Sequence, residues 1–239
     1  SRIEKQLRDQ KELLAAVSHE LRTPLGHIRV ILETMRDAPE TGDAAKAALE
    51  KRIDELEKEV CEVDDLVGEL LASSRLTFDT LAHHKLEALD VAARALERTG
   101  LDLSLLESDE ESISFEGDAT LLGRALTNLL ENAKRHGGGV SSLRIDATAD
   151  EVVFVVEDRG PGFSAVELKK VFESFYRGDH RAGATHGSLG LGLSLVRRIA
   201  EAHGGRAWAE NRDGGGAKVG IRIARRRPEP ANAAGAPRA

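Results

Sequence analysis

Cysteine, tryptophan, tyrosine and methionine each occur once in the 239 residues, and aromatic side chains make up 3% of the chain. A lone Cys61 closes no internal disulfide and builds no cysteine metal cage, which excludes a disulfide-stapled fold and fits a reducing compartment. No run of about 18 apolar residues is present, so the sequence offers no membrane-spanning helix. Lys and Arg number 34 against 41 Asp and Glu, a net charge of -7. With no basic stripe interleaved with aromatics, that balance gives no reason to bind nucleic acid. The chain does have 41% hydrophobic and 31% charged residues, enough for the core of one or two globular domains. It opens at Ser1, inside a helical pattern and without a signal peptide. The expectation is therefore an excised piece of a longer protein whose upstream sensor or transmembrane region is missing.

Two heptad seams organise the first third. Ile3, Leu7, Gln10, Leu14, Val17, Leu21, Pro24, Ile28, Ile31 and Met35 advance in steps of four and three, which predicts one long helix. Leu49, Ile53, Leu56, Val60, Val63, Val67 and Leu70 repeat the alternation, and Pro39 and Gly42 in the intervening "DAPETGD" break the helix between them. The two seams predict a helical hairpin. Leu13, Leu25 and Leu32 widen the first seam beyond what a two-stranded coiled coil needs, so two hairpins pairing as a four-helix bundle would bury it. A homodimer follows from that expectation.

Within the first helix, "VSHELRTPL" places reactive side chains on a packing element. With Val17 and Leu21 on the seam, His19 falls on the position farthest from it, exposed to solvent, with Glu20 beside it. An imidazole nitrogen is a competent nucleophile once an acceptor holds the proton of the other nitrogen, and Glu20 is such an acceptor. "SHELRTPL" resembles the phosphoacceptor box of bacterial sensor histidine kinases. The resemblance implies that His19 is the phosphorylated residue and Glu20 the assisting base. It further implies that Thr23 orients water when the same domain dephosphorylates its partner. Pro24 would bend the helix below the histidine.

Beyond "SSRLTFDT" the periodicity changes. Strand-like runs "SISF", "SLRIDA", "EVVFVVED", "RAWAEN" and "AKVGIRI" alternate with helical segments 118–135 and 189–203, which predicts an α/β domain. In "RALTNLLENAKRHG", Asn128 and Asn132 share a helix face and can present carbonyl oxygens to a hard cation such as Mg²⁺, while Leu126, Leu129, Leu130 and Ala133 face a core. "VEDRGPGF" ends a strand in Asp158, with Gly160 and Gly162 letting backbone approach a flat ligand. "HGSLGLGLSLVRRIA" sets Gly187, Gly190 and Gly192 before a helix, an arrangement that binds phosphate through free N–H groups and the helix dipole.

The order of Asn box, Asp-x-Gly-x-Gly, "VFESFYRGD" and glycine loop is similar to the catalytic ATP-binding domain of histidine kinases, in the superfamily shared with gyrase-type, heat-shock-chaperone and mismatch-repair ATPases. The resemblance implies an α/β sandwich with ATP between helices. It assigns Asn132 to Mg²⁺, Asn128 and Arg135 to the phosphates, and Asp158 to the adenine amino group. His136 stands where the family often has an aromatic packed on adenine. "GDHRAGATH", between Arg177 and Gly187, suits a mobile lid, and Arg177 reaches for the γ-phosphate or is a surface arginine.

The expected architecture is thus an all-α helical hairpin forming a dimeric four-helix bundle (1–78), then an α/β sandwich ATP-binding domain (79–225), then a disordered tail (226–239). The expected activity is that of an ATP-dependent protein histidine kinase passing its phosphoryl group to a response regulator. The full-length protein would sit in the bacterial inner membrane with this part in the cytoplasm. Two other classes stay open. In ATP-hydrolysing members of the superfamily a glutamate activates water one turn before the metal asparagine, whereas Asn128, standing there, cannot take a proton. A non-catalytic dimeric scaffold would need none of His19, Glu20, Asn132, Asp158 and the three glycines together.

Overall fold

The computed structural model describes residues 21–35, 46–57, 59–60, 63, 67, 81–174, 176 and 190–226. Two compact units divide the chain, Ser1–Ser74 and Arg75–Ala239.

In the first unit residues 21–35 (α1) and 46–57 (α2, continuing through 59–60) are helical. Pro24 lies inside α1 and is buried, while Thr23 beside it is exposed. Arg52 donates to the carbonyl of Thr34 at 2.7 Å, and His27 Nδ1 lies 3.1 Å from Glu59 Oε1. Higher numbers on α2 meet lower numbers on α1, as an antiparallel hairpin requires. Each helix keeps apolar side chains in solvent, Leu25 (53%) and Leu32 (49%) on α1, Leu49 (44%) and Val60 (51%) on the second. Leu25 and Leu32, expected to widen the buried stripe, are each about half exposed.

Among the described residues the second unit has a five-stranded sheet in the order β2-β4-β5-β7-β6 and a two-stranded sheet β1-β3. The strands are β1 (His84–Glu87), β2 (Leu106–Ser108), β3 (Ser114–Gly117), β4 (Val140–Ala147), β5 (Glu151–Asp158), β6 (Arg206–Asn211) and β7 (Ala217–Ala224). β2 runs parallel to β4 and the other pairs are antiparallel. Helices α3 (Ala88–Arg98), α4 (Ala119–His136) and α6 (Gly192–Ala202) pack on the sheet and on each other, and α5 (Ala165–Lys170) is a short helix after β5.

Alternation along the strands decides which face is dry. Val152, Phe154 and Val156 of β5 stand opposite Ile223, Ile221 and Val219 of β7, and all six are at most 3% exposed. The alternate residues bear charge: Glu157 takes Arg212 at 2.9 Å and Lys218 at 3.1 Å, and Arg222 meets Glu151 at 3.4 Å. One face therefore packs under helices and the other is laced with ion pairs, the two-layer sandwich expected from the periodicity.

α4 follows from its ends and its stripe. Asp118 caps it, its Oδ1 accepting from Thr120 N (3.0 Å) and Leu121 N (3.1 Å), and Lys134, Arg135 and His136 complement the dipole in the last turn. Leu122, Leu126, Leu129, Leu130 and Ala133 are at most 2% exposed, so the leucines expected in the core are there. Gly123 sits in the helix with open space where a Cβ would go.

Gly123→Ala is expected to raise stability by about 0.5–1 kcal/mol through helix propensity, and Phe154→Ala to lower it by about 3–5 kcal/mol through lost burial and a cavity. Urea unfolding followed by the fluorescence of Trp208, the single tryptophan, measures both.

Candidate nucleotide site

Asp158 ends β5 with 4% exposure. An unsatisfied carboxylate at that depth would cost several kcal/mol. Here Oδ1 accepts two backbone hydrogen bonds, from Gly160 N and from Ala217 N, both at 2.9 Å. Arg212 donates to the carbonyl of the same residue at 2.7 Å. Among the described residues none donates to Oδ2, which leaves one carboxylate oxygen fixed and the other available to a ligand.

Three glycines permit that arrangement. A Cβ on Gly137, just past α4, would lie 2.5 Å from Asp158 Cβ and Cγ, and one on Gly160 would lie 2.8 Å from Gly137 Cα. Gly216 closes the β6–β7 turn at φ +90°, and a Cβ there would lie 2.1 Å from the Asp158 carbonyl oxygen. Arg159 N donates to Gly137 O at 2.9 Å, binding the loop to the end of α4. Gly162 adopts φ +77°, and the next residue, Phe163, is clamped by Asn211, whose Oδ1 accepts from Phe163 N and whose Nδ2 donates to Phe163 O, both at 2.7 Å.

The resulting cleft is lined by Asn132, His136, Gly137, Asp158, Gly162, Phe163 and Ala217. The Asn box and the Asp-x-Gly-x-Gly segment, separate in sequence, share one cavity. Asn128 donates from Nδ2 to Gly192 O at 3.3 Å, which ties the Asn face of α4 to the first residue of α6. Gly190 takes φ +68° two residues before that helix, and its N-cap residue, Leu191, makes no side-chain capping hydrogen bond. Gly192 thus opens the helix itself. Arg135 lies one turn from Glu131, with Nε 3.4 Å from Oε2, half exposed and outside the cleft lining. His19, Glu20, Arg177 and Gly187, together with the expected lid at 178–186, lie outside the described residues. Among the described residues no three His, Cys, Asp or Glu side chains gather as a metal cage.

Sequence reasoning missed Gly137, Phe163, Asn211, Arg212 and Gly216. Three consecutive glycines stand at 214–216, but nothing in them signals that the turn closes on Asp158.

A cleft beside α4, floored by a strand-end aspartate, with the Asn face of the same helix tied to a glycine-started helix, has the parts of a nucleotide-binding domain. Residues 117–227 match the family model for histidine kinase-, DNA gyrase B- and HSP90-like ATPases, and residues 9–78 match the His Kinase A (phospho-acceptor) domain. The signal transduction histidine-protein kinase/phosphatase MprB of Mycobacterium tuberculosis (strain H37Rv) is 35% identical over 224 residues, which is 90% of this chain and 44% of MprB. The sensor protein BasS of Escherichia coli K12 is 33% identical over 228 residues, 93% of this chain and 61% of BasS. The chain spans about half the length of these relatives. A solved structure of the histidine kinase ThkA in complex with the response regulator protein TrrA is 22% identical, with a TM-score of 0.64 over 93% of this chain and 64% of that chain, and shares its fold. The chain belongs to the bacterial two-component sensor histidine kinases.

Gly137→Ala is expected to push the Asp158 carboxylate out of place and weaken nucleotide binding at least tenfold. The helix end itself has an ordinary backbone conformation, φ -96°, so folding survives. Calorimetric titration with ATP checks the loss, and unchanged affinity would contradict the assignment of the cleft.

Proposed function

We propose that this chain is the catalytic part of an ATP-dependent protein histidine kinase that phosphorylates its own His19, passes the phosphoryl group to an aspartate of a response regulator, and dephosphorylates that regulator with the help of Thr23. The observation that carries the reading is that no carboxylate stands where the ATP-hydrolysing members of the superfamily carry their water-activating glutamate. Among the described residues lining the cleft Asp158 is the one acid, and its Oδ1 is held by two amides. Residue 128 is a carboxamide that spends its N–H on Gly192. With no carboxylate at residue 128 to deprotonate water, the γ-phosphate suits a separate nucleophile, and "SHELRTPL" supplies one.

In the proposed step an imidazole nitrogen of His19 attacks the γ-phosphorus, a P–N bond forms, and the bond to the β,γ-bridging oxygen breaks. ADP leaves with the electron pair, and Glu20 holds the proton of the other imidazole nitrogen. Catalysis of this kind needs in-line positioning and charge neutralisation more than covalent machinery. Asp158 Oδ2 orients the adenine amino group, His136 stacks on the ring, and the N-terminus of α6 receives the phosphates. The residues fit Mg²⁺: the Asn132 carboxamide offers a hard oxygen ligand in the cleft, and the ion otherwise prefers phosphates and water. Mg²⁺ would neutralise phosphate charge.

A homodimer is part of the proposal. Leu25, Leu32, Leu49 and Val60 are each more than 40% exposed on the hairpin, and a second copy completing a four-helix bundle would cover them. Since the relatives are longer than this chain, we assign signal input and attachment to the bacterial inner membrane to the remainder of the full-length protein, with these residues in the cytoplasm.

Incubation with γ-labelled ATP and Mg²⁺ is expected to give acid-labile, base-stable label that is absent from His19→Gln. Steady phosphate release without label would replace this reading by an ATPase, and neither label nor release would favour a scaffold.

A further inference from the structure

α4 carries Asn132 and His136 in the cleft and is tied to the start of α6 through Asn128, and the end of α6 meets the start of α4 at His203. This residue follows α6 and is 2% exposed. Its Nε2 lies 3.0 Å from Asp118 N, the cap of α4, and its Nδ1 lies 2.7 Å from Ile199 O on α6. The Asp118 amide has only a proton to give and the Ile199 carbonyl can only accept. The imidazole is therefore neutral, protonated at Nδ1, with Nε2 accepting. Its own carbonyl accepts from Ala224 N on β7 at 3.1 Å, so one side chain and its backbone join two helices and the sheet.

The segment leading into β1 lands on the same junction. Ala82 N donates to Asp118 Oδ2 at 3.2 Å, and the His83 ring lies 5.8 Å from that of His203, tilted by 58°. Burial, as the largest cause, lowers the His203 pKa from its usual 6.5, and the neighbouring His83 acts in the same direction. The Ile199 carbonyl and the Asp118 carboxylate oppose them.

Asn132 stands fourteen residues along from Asp118, roughly 21 Å at 1.5 Å per residue. A tilt of about 3° at the start of α4 moves Asn132 by on the order of 1 Å, the scale on which site geometry is lost. We infer that His203 is a positioning residue of the nucleotide site: by bonding Asp118 to Ile199 it fixes the Asn face of α4 against the N-terminus of α6 and so sets nucleotide affinity. This rests on the reading of the cleft as an ATP site.

Calorimetric titration of the 239-residue chain with Mg²⁺ and AMPPNP, well below each variant's melting temperature, tests it. His203→Leu fills the space without an acceptor and is expected to bind about tenfold more weakly. His203→Gln, whose amide oxygen can accept from Asp118 N, should stay within about threefold of wild type. Ile145→Ala, on β4 away from the junction, should lose stability but keep its affinity. Wild-type affinity in His203→Leu, or an equal loss in Ile145→Ala, overturns the role.

If His203→Leu does not fold, pH decides. The titratable groups facing His203 are His83 and Asp118; α6 and β7 present a carbonyl and an amide. Protonated His203 cannot accept from Asp118, and burial moves its protonation below the ordinary imidazole pKa of about 6.5, so wild-type affinity should fall relative to His203→Gln as pH drops through the point at which the NMR shifts of the His203 ring show it gaining a proton. The ionisation of the nucleotide and of His136 is common to both proteins. Parallel profiles across that protonation overturn the role. A wild-type chain that binds no nucleotide overturns the ATP reading, and the positioning role falls with it.

Discussion

The nucleotide site depends on a buried carboxylate held by backbone. Asp158 has one oxygen saturated by Gly160 N and Ala217 N and the other left for a ligand. Those two bonds fix its rotamer and offset the cost of burial. Around it the end of α4, the end of β5 and the β6–β7 turn approach as bare backbone, because Gly137, Gly160 and Gly216 carry no Cβ to hold them apart. A side chain at any of the three would move the carboxylate or the chain that grips it.

From that anchor the site extends in two directions. Through Gly137 it reaches His136 and Asn132 on α4, and through Asn128 it reaches Gly192 at the start of α6. In the proposed reading the Asp158 end takes the nucleotide base and the α6 end the phosphates, with a carboxamide at residue 128 where a water-activating carboxylate would stand. In the proposed division of labour the "SHELRTPL" segment supplies the nucleophile that this cleft does not.

Long, alternating elements were legible in the sequence. "SLRIDA", "EVVFVVED", "RAWAEN" and "AKVGIRI" became β4 to β7, and the leucine stripe from Leu121 to Leu130 marked α4. Shorter or alanine-rich elements were not. β2 has three residues, and β1 is a half-exposed "HKLE". The buried face of α3 consists largely of Ala88, Ala92 and Ala95, which contrast weakly with their neighbours. α5 opens on a capping box of Ser164 and Glu167 and was not read, since six residues carry no apolar period. In the site, Asn132, His136, Asp158 and Gly162 could be read because they sit in short motifs. Asn211 and Arg212 act across 48 and 54 residues, and local sequence holds no trace of such contacts.

The most direct measurement compares the affinities of ATP and inosine triphosphate for the wild-type chain with Mg²⁺. Inosine replaces the exocyclic amino group by a carbonyl, which would set two acceptors against each other at Asp158 Oδ2. If Asp158 reads adenine, ATP binds at least tenfold more tightly, and Asp158→Ala removes the difference. Equal affinity of the two nucleotides for the wild-type chain would contradict it.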